Sequence, residues 1–378
     1  MAGSRKPAAE DWDFAHLGID ETQYLTHFFH HWTAKFIPQI PARIIEQHTR
    51  EGDAVLDPFM GCGTTLVEAA VRRRPAFGTD INPLAVKIAR AKTMPVDEAA
   101  LECFLSELDR RKRAGSMEAP GVASAAASGG CDLFPGSQRW FRGDVAAAIR
   151  WVLLSIRSFD DATRNFVEVG LSDLLKGMSN ARMDRTIPQL PPEPEYVDKK
   201  HYNRVVNNLT RRINVYSRLH SQLRRMLDAL REYRSRADGT TCEPMLADAR
   251  QLRQHVPRVK LAVTSPPYWN AQNYQKLHWL SFQTFGLEEP GTGEIGRRSN
   301  DYLCDMRAVL GQLAQVLDGV FAIVIGESKH GTHETVRDAC VAAGMKPLDT
   351  IRRRISMHAF FMKGVKTEFI YLFRNAVR

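Results

Sequence analysis

Two short strings in this chain combine residue types that could do chemistry. The first runs Asp57-Pro58-Phe59-Met60-Gly61-Cys62-Gly63-Thr64-Thr65, and the second runs Thr264-Ser265-Pro266-Pro267-Tyr268-Trp269. In the first, an acid precedes two closely spaced glycines, and two threonines open the next element. Gly61 and Gly63 can adopt a positive φ and let the backbone approach a ligand closely. This string is typical of a loop that cradles a cofactor.

The glycine pattern narrows the class of cofactor. A Gly-x-Gly pair by itself also occurs in dehydrogenases and in ordinary turns. The third glycine of the dinucleotide-binding pattern is missing, because Leu66 stands at that position. No Gly-Lys-Ser or Gly-Lys-Thr sequence follows, which excludes a P-loop. The first string therefore indicates a nucleoside cofactor and leaves its identity open.

The second string has the composition of a clamp for a planar amino group. Its two prolines remove two N–H donors and fix the chain, which leaves carbonyl oxygens free to accept hydrogen bonds from an NH2 group. Ser265 adds an acceptor, and Tyr268 or Trp269 can stack on a flat base. A base inside a duplex must flip out to reach such a pocket. Stacking contributes ~1–3 kcal/mol per base, which offsets much of the cost of unstacking.

The elements that must position these strings are short strands that end on polar residues. Three apolar segments end on Asp57, Asp80 and Asp248. Ligands of an open α/β sheet bind at the carboxyl ends of its strands, so we expect these acids at one edge. Asp80 can accept two hydrogen bonds from ribose hydroxyls, or it can cap the helix that begins at Pro83. Asp248 can accept from an adenine amino group, or it can cap a helix.

The whole chain alternates strands and helices around one interruption. Strands are predicted at 53–57, 75–79, 245–247, 261–263, 320–325, 351–355 and 369–373, and the region 98–241 reads as mainly helical. This pattern predicts an α/β sheet of seven strands flanked by helices. We expect a first part of the catalytic domain at 1–97, a helical insertion at 98–241, and the second part at 242–378.

The charge of the chain favours a polyanionic partner. The formal net charge is +9, and Lys199 to Arg236 holds eleven basic residues and two acids, an excess as large as that of the whole chain. A phosphate-contacting surface and a solvated helix face both explain this stretch. The candidate DNA-binding residues are Trp269, Lys199, Lys200, Arg204, Arg211, Arg212, Arg297 and Arg298.

Composition argues against several other classes of protein. The six cysteines form no Cys-x-x-Cys pair, so neither a zinc ribbon nor a disulfide framework is expected, and a reducing cytoplasm fits. His27, His30 and His31 lack a matching Cys or His cluster, so we expect packing and no metal. The chain has no run of eighteen apolar residues, so no membrane span is predicted. The first residues lack the apolar stretch of a signal peptide.

Together the two strings resemble the DNA amino-methyltransferases, which methylate cytosine N4 or adenine N6. In that family the first string is the cofactor motif, and the second is the catalytic (D/N/S)PP(Y/F/W) motif. The segment Lys35-Phe36-Ile37-Pro38 resembles the family's upstream methionine-contacting motif. The resemblance implies a Rossmann-like class I methyltransferase sheet and S-adenosylmethionine as the cofactor. Because SPPY is usual in the cytosine-N4 branch, Ser265 favours that branch.

The same resemblance implies the residues of the site. The expected catalytic residues are Ser265, Pro266, Pro267 and Tyr268. The expected cofactor-binding residues are Lys35, Phe36, Pro38, Asp57, Pro58, Phe59, Gly61, Gly63, Thr64, Thr65, Asp80, Ile81, Asn82, Asp248 and Ala249.

The function expected from this family is site-specific methylation of cytosine N4 in double-stranded DNA. The enzyme would be the modification half of a restriction-modification or defence system, with a cognate endonuclease as a candidate partner. No cysteine follows a proline, which argues against the covalent chemistry of cytosine-C5 enzymes. Two alternatives stay open: an adenine-N6 or RNA amino-methyltransferase, and a non-catalytic DNA-binding protein on a vestigial fold. The basic insertion is the candidate for reading the DNA sequence.

Overall fold

The structure is a computed structural model that describes residues 12–33, 35–114, 132–182, 186–190, 213–267, 274–289, 295, 299–327, 332–355 and 367–376. The chain forms two compact units. The sheet unit comprises residues 1–93, 230–271 and 290–378, and the helical unit comprises 94–229 and 272–289.

Seven strands form a single sheet in the sheet unit. They are β1 (Val55–Asp57), β2 (Ala76–Asp80), β3 (Cys242–Leu246), β4 (Val259–Thr264), β5 (Leu317–Gly326), β6 (Met345–Arg354) and β7 (Thr367–Asn375). Their order is β3-β2-β1-β4-β5-β7-β6, with parallel pairing from β3 to β5 and antiparallel pairing of β7 with both β5 and β6. Each strand overlaps a predicted segment, so the predicted fold class is confirmed.

The strand order reverses at β1. The chain runs outward from β1 to β2 and β3, and then returns to place β4 on the other side of β1, with Val55 opposite Leu261. Ligands of open α/β sheets bind in the crevice at such a reversal, beyond the carboxyl ends of the strands. The reversal therefore places the carboxyl end of β1, where the first string begins, beside the carboxyl end of β4, where the second string begins.

Helices cover both faces of this sheet. They are α1 (Gln39–His48), α2 (Thr64–Ala70), α3 (Pro83–Thr93), α11 (Ser299–Val316) and α12 (Thr332–Ala342), with short 3-10 helices at Asp20–Thr22, Leu25–Phe28 and Ala249–Gln254. Successive side chains of a strand point to opposite faces. Accordingly Val320, Ala322 and Val324 join one apolar core, while Phe321 and the alternate residues after it join the other.

The helical unit is built by packing of amphipathic helices. Its elements are α4 (Glu98–Ala114), α5 (Ser137–Trp140), α6 (Gly143–Ser155), α7 (Asp161–Met178), α9 (Tyr274–Leu277), α10 (Trp279–Phe285) and the part of α8 (Val215–Ala237) before Leu230. Asp160 caps α7 by accepting from two backbone amides. A Cβ on Gly170 would lie 2.8 Å from Leu223, so a glycine allows α7 and α8 to approach closely.

Residues 272–289 belong to the helical unit, although we predicted them within the second part of the catalytic domain. The Ser281 hydroxyl lies 2.7 Å from that of Ser172 on α7. The Trp279 ring lies 4.6 Å from the Trp140 ring and contacts Phe134 edge-on. These contacts come from α10, which the sequence analysis placed in the second part of the catalytic domain.

Two arginines of the basic stretch bond to other helices of the helical unit. Arg224 of α8 donates to Glu102 at 2.7 Å, and Arg218 donates to the carbonyl oxygen of Gly177 at 2.9 Å. The five candidates from Lys199 to Arg212 lie outside the described residues. In the part of the chain that the structure describes, the basic stretch forms α8 from Val215 onward. No helix in the described ranges is long and apolar enough to cross a membrane.

Arg353 is buried, unlike the arginines on either side of it in β6. Its side chain is 5% exposed and pairs with Glu368 of β7. It also donates to the carbonyl oxygen of Trp12 at 2.8 Å. This buried pair therefore fastens the beginning of the described chain to the antiparallel end of the sheet.

Replacing Arg353 should destabilise the fold strongly. Arg353→Met leaves Glu368 buried without its cation, and breaking a buried ion pair costs about 3–5 kcal/mol. Urea unfolding measures the loss. The control is Arg352→Met, since the Arg352 side chain is 65% exposed, and it should change the unfolding free energy by less than about 0.5 kcal/mol. Equal losses in the two variants would contradict this account.

Candidate active site

One buried carboxylate joins the two strings. Asp57, the last residue of β1, accepts hydrogen bonds from the hydroxyls of Thr65 and Thr264, both at 2.6 Å. It also accepts from the amide of Phe59 at 3.1 Å. Thr65 lies in α2 just after the glycine loop, and Thr264 immediately precedes Ser265. A single side chain thus sets the loop and the clamp relative to each other across β1 and β4.

These bonds give Asp57 a positioning role inside the protein. Burial raises its pKa to about 6, although the bonds from Thr264, Thr65 and Phe59 oppose that rise. The side chain is buried, and three protein donors occupy its oxygens. A direct contact between Asp57 and a cofactor stays a prediction.

Asp80 lies at the end of β2 and accepts hydrogen bonds from backbone amides. Its Oδ2 accepts from the Gly61 amide at 2.9 Å, and its Oδ1 accepts from the Asn82 amide at 2.8 Å. The Ile81 amide also bonds to this carboxylate. Of about four acceptor positions, roughly one therefore stays available for a ribose hydroxyl. The side chain of Asn82, and not that of Asp80, accepts from the Leu84 amide at the start of α3. The alternative helix-cap role of Asp80 is therefore wrong.

Other side chains pack closely against Gly61 and Gly63, at the positions that a Cβ atom would occupy. Gly61 and Gly63 have φ values of +48° and +79°, as the sequence predicted. A Cβ on Gly63 would lie 2.9 Å from the Cβ of Ala89, and one on Gly61 would lie 3.3 Å from the Trp32 indole nitrogen. At Gly63 both the left-handed backbone and the close packing on α3 therefore require glycine.

The rest of the first string is held by local bonds. The Pro58 carbonyl oxygen accepts from the Thr79 hydroxyl at 2.9 Å, and the Met60 amide donates to the Thr79 carbonyl at 3.0 Å. Thr64 is buried beside the Cys62 thiol, at 3.8 Å. Ile81, which follows Asp80, is half-buried. The loop is thus fastened to β2 along its length.

The upstream segment is anchored by a lysine and packed by an aromatic ring. Lys35 Nζ donates to the His27 carbonyl oxygen at 2.8 Å. Phe36 is buried in the core that lies against α1, and Pro38 is the residue before that helix. These positions agree with a segment that borders the glycine loop, while its contacts to a cofactor stay predictions.

Asp248 is engaged by a neighbouring arginine. It caps the 3-10 helix that begins at Ala249 by accepting from the Arg250 amide at 2.8 Å. Its carboxylate also accepts from the Arg250 guanidinium, which reaches Asp305 on α11 at 2.8 Å. Burial raises the Asp248 pKa, but the Arg250 bonds outweigh it and the net shift is downward. The helix-cap role is confirmed, and an adenine contact stays a prediction.

The second string begins where β4 ends. Ser265 and Pro267 are half-buried, and Pro266 is buried. Tyr268 and Trp269 lie outside the described residues, as do Arg297 and Arg298. The described part of the clamp therefore lies at the carboxyl edge of the sheet, one residue from the Asp57 network.

Two buried charged groups were missed by the sequence patterns. Glu68 is a single acid within the otherwise apolar run of α2, and that isolation was the available signal. Lys92, at the end of α3, is fully buried. Burial lowers the pKa of Lys92 to about 8. The neighbouring Cys62 raises that pKa, and Lys35 lowers it further. Nothing in the sequence around Lys92 distinguishes it from a surface lysine.

Comparison with known proteins supports one family. Residues 4–91 match the family model for N6/N4 methyltransferases, described as DNA methylase. The resemblance to the DNA amino-methyltransferases is confirmed. Over 168 residues the chain is 30% identical to the Type II methyltransferase M.MvaI of Kocuria varians, a match that covers 43% of this chain and 36% of that protein. Over 100 residues it is 35% identical to M.MjaII of Methanocaldococcus jannaschii, covering 26% and 19%.

These matches span only part of each relative: about a third of M.MvaI and about a fifth of M.MjaII. Among solved structures, the rRNA methyltransferase aviRa of Streptomyces viridochromogenes is similar with a TM-score of 0.36 and 12% identity, covering 92% of this chain and 90% of that one.

The family match supports S-adenosylmethionine as the cofactor, and the described residues fit it. Asp80 keeps about one acceptor position for a ribose hydroxyl, and the glycine loop ends at the start of a helix, where amides point outward. Within the described residues, no group of three or more His, Cys, Asp or Glu side chains could hold a metal ion.

Removing either hydroxyl from the Asp57 network should destabilise the protein. Thr264→Val and Thr65→Val each leave a buried carboxylate short of one donor, which costs about 1–3 kcal/mol. Because both hydroxyls serve one carboxylate, the double variant should depart from additivity. Urea unfolding checks this, with the exposed Thr241→Val as the control. Unchanged stability in both single variants would refute the network's importance.

Replacing Lys92 should stabilise the protein in a pH-dependent way. Its pKa lies at about 8 against an ordinary 10.5, so its burial costs up to about 3 kcal/mol while the amine is protonated. That cost is fully present below pH 8 and fades as the pH rises towards 10.5. Lys92→Met should therefore gain stability at about pH 7 and little at about pH 10, as measured by urea unfolding. Lys87→Met on the same helix is the control, and a gain independent of pH would contradict the assignment.

Proposed function

We propose that this protein is an S-adenosylmethionine-dependent DNA methyltransferase that acts on an exocyclic amino group. One observation carries the proposal. The Asp57 carboxylate binds Thr65 beside the glycine loop and Thr264 beside Ser265, at the point where the strand order reverses. A cofactor loop and an amino-group clamp held by one side chain suit a direct transfer between two bound molecules, because positioning supplies much of the acceleration.

Each string has a separate task in this proposal. S-adenosylmethionine supplies the methyl group when it is bound. Asp80 accepts a hydrogen bond from its ribose, and the loop from Gly61 to Gly63 borders it. Ser265 and the Pro266 carbonyl accept hydrogen bonds from the amino group of a flipped base, which favours sp3 character at the nitrogen. Tyr268 or Trp269 stacks on that base.

We further propose cytosine N4 as the target. Support comes from Ser265 in place of an aspartate, since SPPY resembles the cytosine-N4 branch of the family. The helical unit, with the basic stretch that begins at Lys199, is our candidate for reading the sequence of double-stranded DNA. A modification role beside a cognate endonuclease is consistent with the Type II relatives, whose names describe methyltransferases of that type.

Nucleoside mass spectrometry of DNA from cells that express the protein tests the proposal. We expect N4-methylcytosine with the wild-type chain and at least about a tenfold loss with Ser265→Ala, because removing a hydrogen bond made in the transition state costs about 10²–10³ in rate at comparable sites. N6-methyladenine alone would show an adenine-N6 enzyme. Modified bases in RNA alone would show an RNA amino-methyltransferase.

If neither DNA nor RNA carries a modified base, the experiment must distinguish two explanations. If calorimetry also finds no binding of S-adenosylmethionine, the protein is a DNA-binding protein on a vestigial fold. If the cofactor binds, the host lacks the recognition sequence or another component. Cells expressing the Ser265→Ala variant provide the matched background for both measurements.

A further inference from the structure

A buried carboxylate lies behind the glycine loop, on the helix that the loop begins. Glu68 of α2 is 0% exposed. Its Oε1 accepts from the Tyr24 hydroxyl and from His27 Nε2, both at 2.7 Å, and its Oε2 accepts from Arg72 at 2.6 Å. A buried charge persists only when it is paired and hydrogen-bonded. Three donors from two segments of chain meet that requirement here.

The protonation states in this cluster follow from burial and partners. Burial raises the pKa of Glu68, but His27, Arg72 and Tyr24 outweigh it, so the net shift is downward and the carboxylate is charged. Burial lowers the pKa of His27 to about 4, against the opposing effect of Glu68, so the imidazole is neutral at neutral pH. The neutral ring must carry its proton on Nε2 to donate to Glu68.

His27 connects Glu68 to a second residue, Lys35. Its ring is held by Glu68, and its backbone carbonyl oxygen accepts from Lys35 Nζ at 2.8 Å. Lys35 belongs to the segment that resembles the methionine-contacting motif. A chain of contacts therefore runs from α2, through His27, to a predicted cofactor-binding ammonium.

Packing does not require a carboxylate at this position. The other residues of α2 are all uncharged, and they are buried as well. Replacing a buried ion pair by apolar residues of similar volume is often neutral or stabilising. Such polar groups can instead fix one arrangement among several of similar energy. The cluster has the composition of a positioning device.

We propose that Glu68 is a positioning residue for cofactor binding: through His27 it fixes Lys35 at the site of S-adenosylmethionine. This inference rests on the proposed function, in which Lys35 contacts the cofactor. Glu68 itself contacts neither cofactor nor base. Its effect should appear in cofactor affinity and should require Lys35.

A double-mutant cycle on the full chain tests the proposal. Isothermal titration calorimetry with S-adenosylmethionine gives Kd for the wild type, Glu68→Gln, Lys35→Met and the double variant. We expect Glu68→Gln to weaken binding about 10-fold, because glutamine has one acceptor oxygen for three donors and must turn its NH2 group towards Arg72 or towards Tyr24 and His27. In the Lys35→Met background the same change should alter Kd less than about 2-fold, because its route of action is gone.

Two further variants separate positioning from folding. A glutamine side chain can donate an amide N–H to Glu68 from near the position of His27 Nε2, so His27→Gln should keep an affinity near wild type, whereas His27→Leu should reproduce the loss. Glu46→Gln is the matched control, because Glu46 is the other carboxylate partner of Arg72 and its side chain is 59% exposed. It should leave Kd unchanged. If Glu68→Gln does not fold, the His27 pair decides the question.

The outcomes that overturn the proposal are distinct from failure of the proposed function. If the wild type does not bind S-adenosylmethionine, the proposed function fails. If the wild type binds and Glu68→Gln retains its affinity, Glu68 is not a positioning residue. If Glu68→Gln weakens binding equally with and without Lys35, it acts through the fold and the inference is wrong.

Discussion

The geometry of this site depends on the hydrogen bonds to the Asp57 carboxylate. Two hydroxyls and one amide converge on it at distances from 2.6 to 3.1 Å. Burial opposes the charge and raises the pKa, while the donors restore part of what water would supply. Because the donors come from the loop, from α2 and from the end of β4, the loop and the clamp cannot shift independently without breaking one of these bonds.

The sheet unit offsets the cost of this and other buried polar groups with two apolar cores. Glu68 and Lys92 lie on helices whose other inward residues are mostly apolar, and Arg353 holds the antiparallel edge. Each buried aliphatic or aromatic side chain of the cores contributes ~1.5–3 kcal/mol relative to exposure. Local departures from an apolar interior are expected where a protein carries function. Here Asp57, Glu68 and Lys92 all lie beside the glycine loop or on the helices that flank it.

The boundaries of the two units do not follow the order of the two strings along the chain. The chain passes between them after residues 93, 229, 271 and 289, so the second string ends just before a crossing. The segment that follows it joins the helical unit through α10 and its ring contacts. The first string and the described part of the second, in contrast, lie wholly in the sheet unit. Motif order along the sequence therefore did not predict which segments share a core.

The sequence by itself determined the seven strands, the glycine turn and the acids at strand ends, because apolar runs, turn residues and strand termini are local signals. It also placed the described clamp at the end of β4. Only the tertiary structure decided that Asp57 faces inward, since one of its donors, Thr264, lies 207 residues away. It also decided which of three adjacent arginines, Arg353, is buried, and it brought the partners of Glu68 together. A buried polar side chain is defined by its partners, and those partners are brought together by folding.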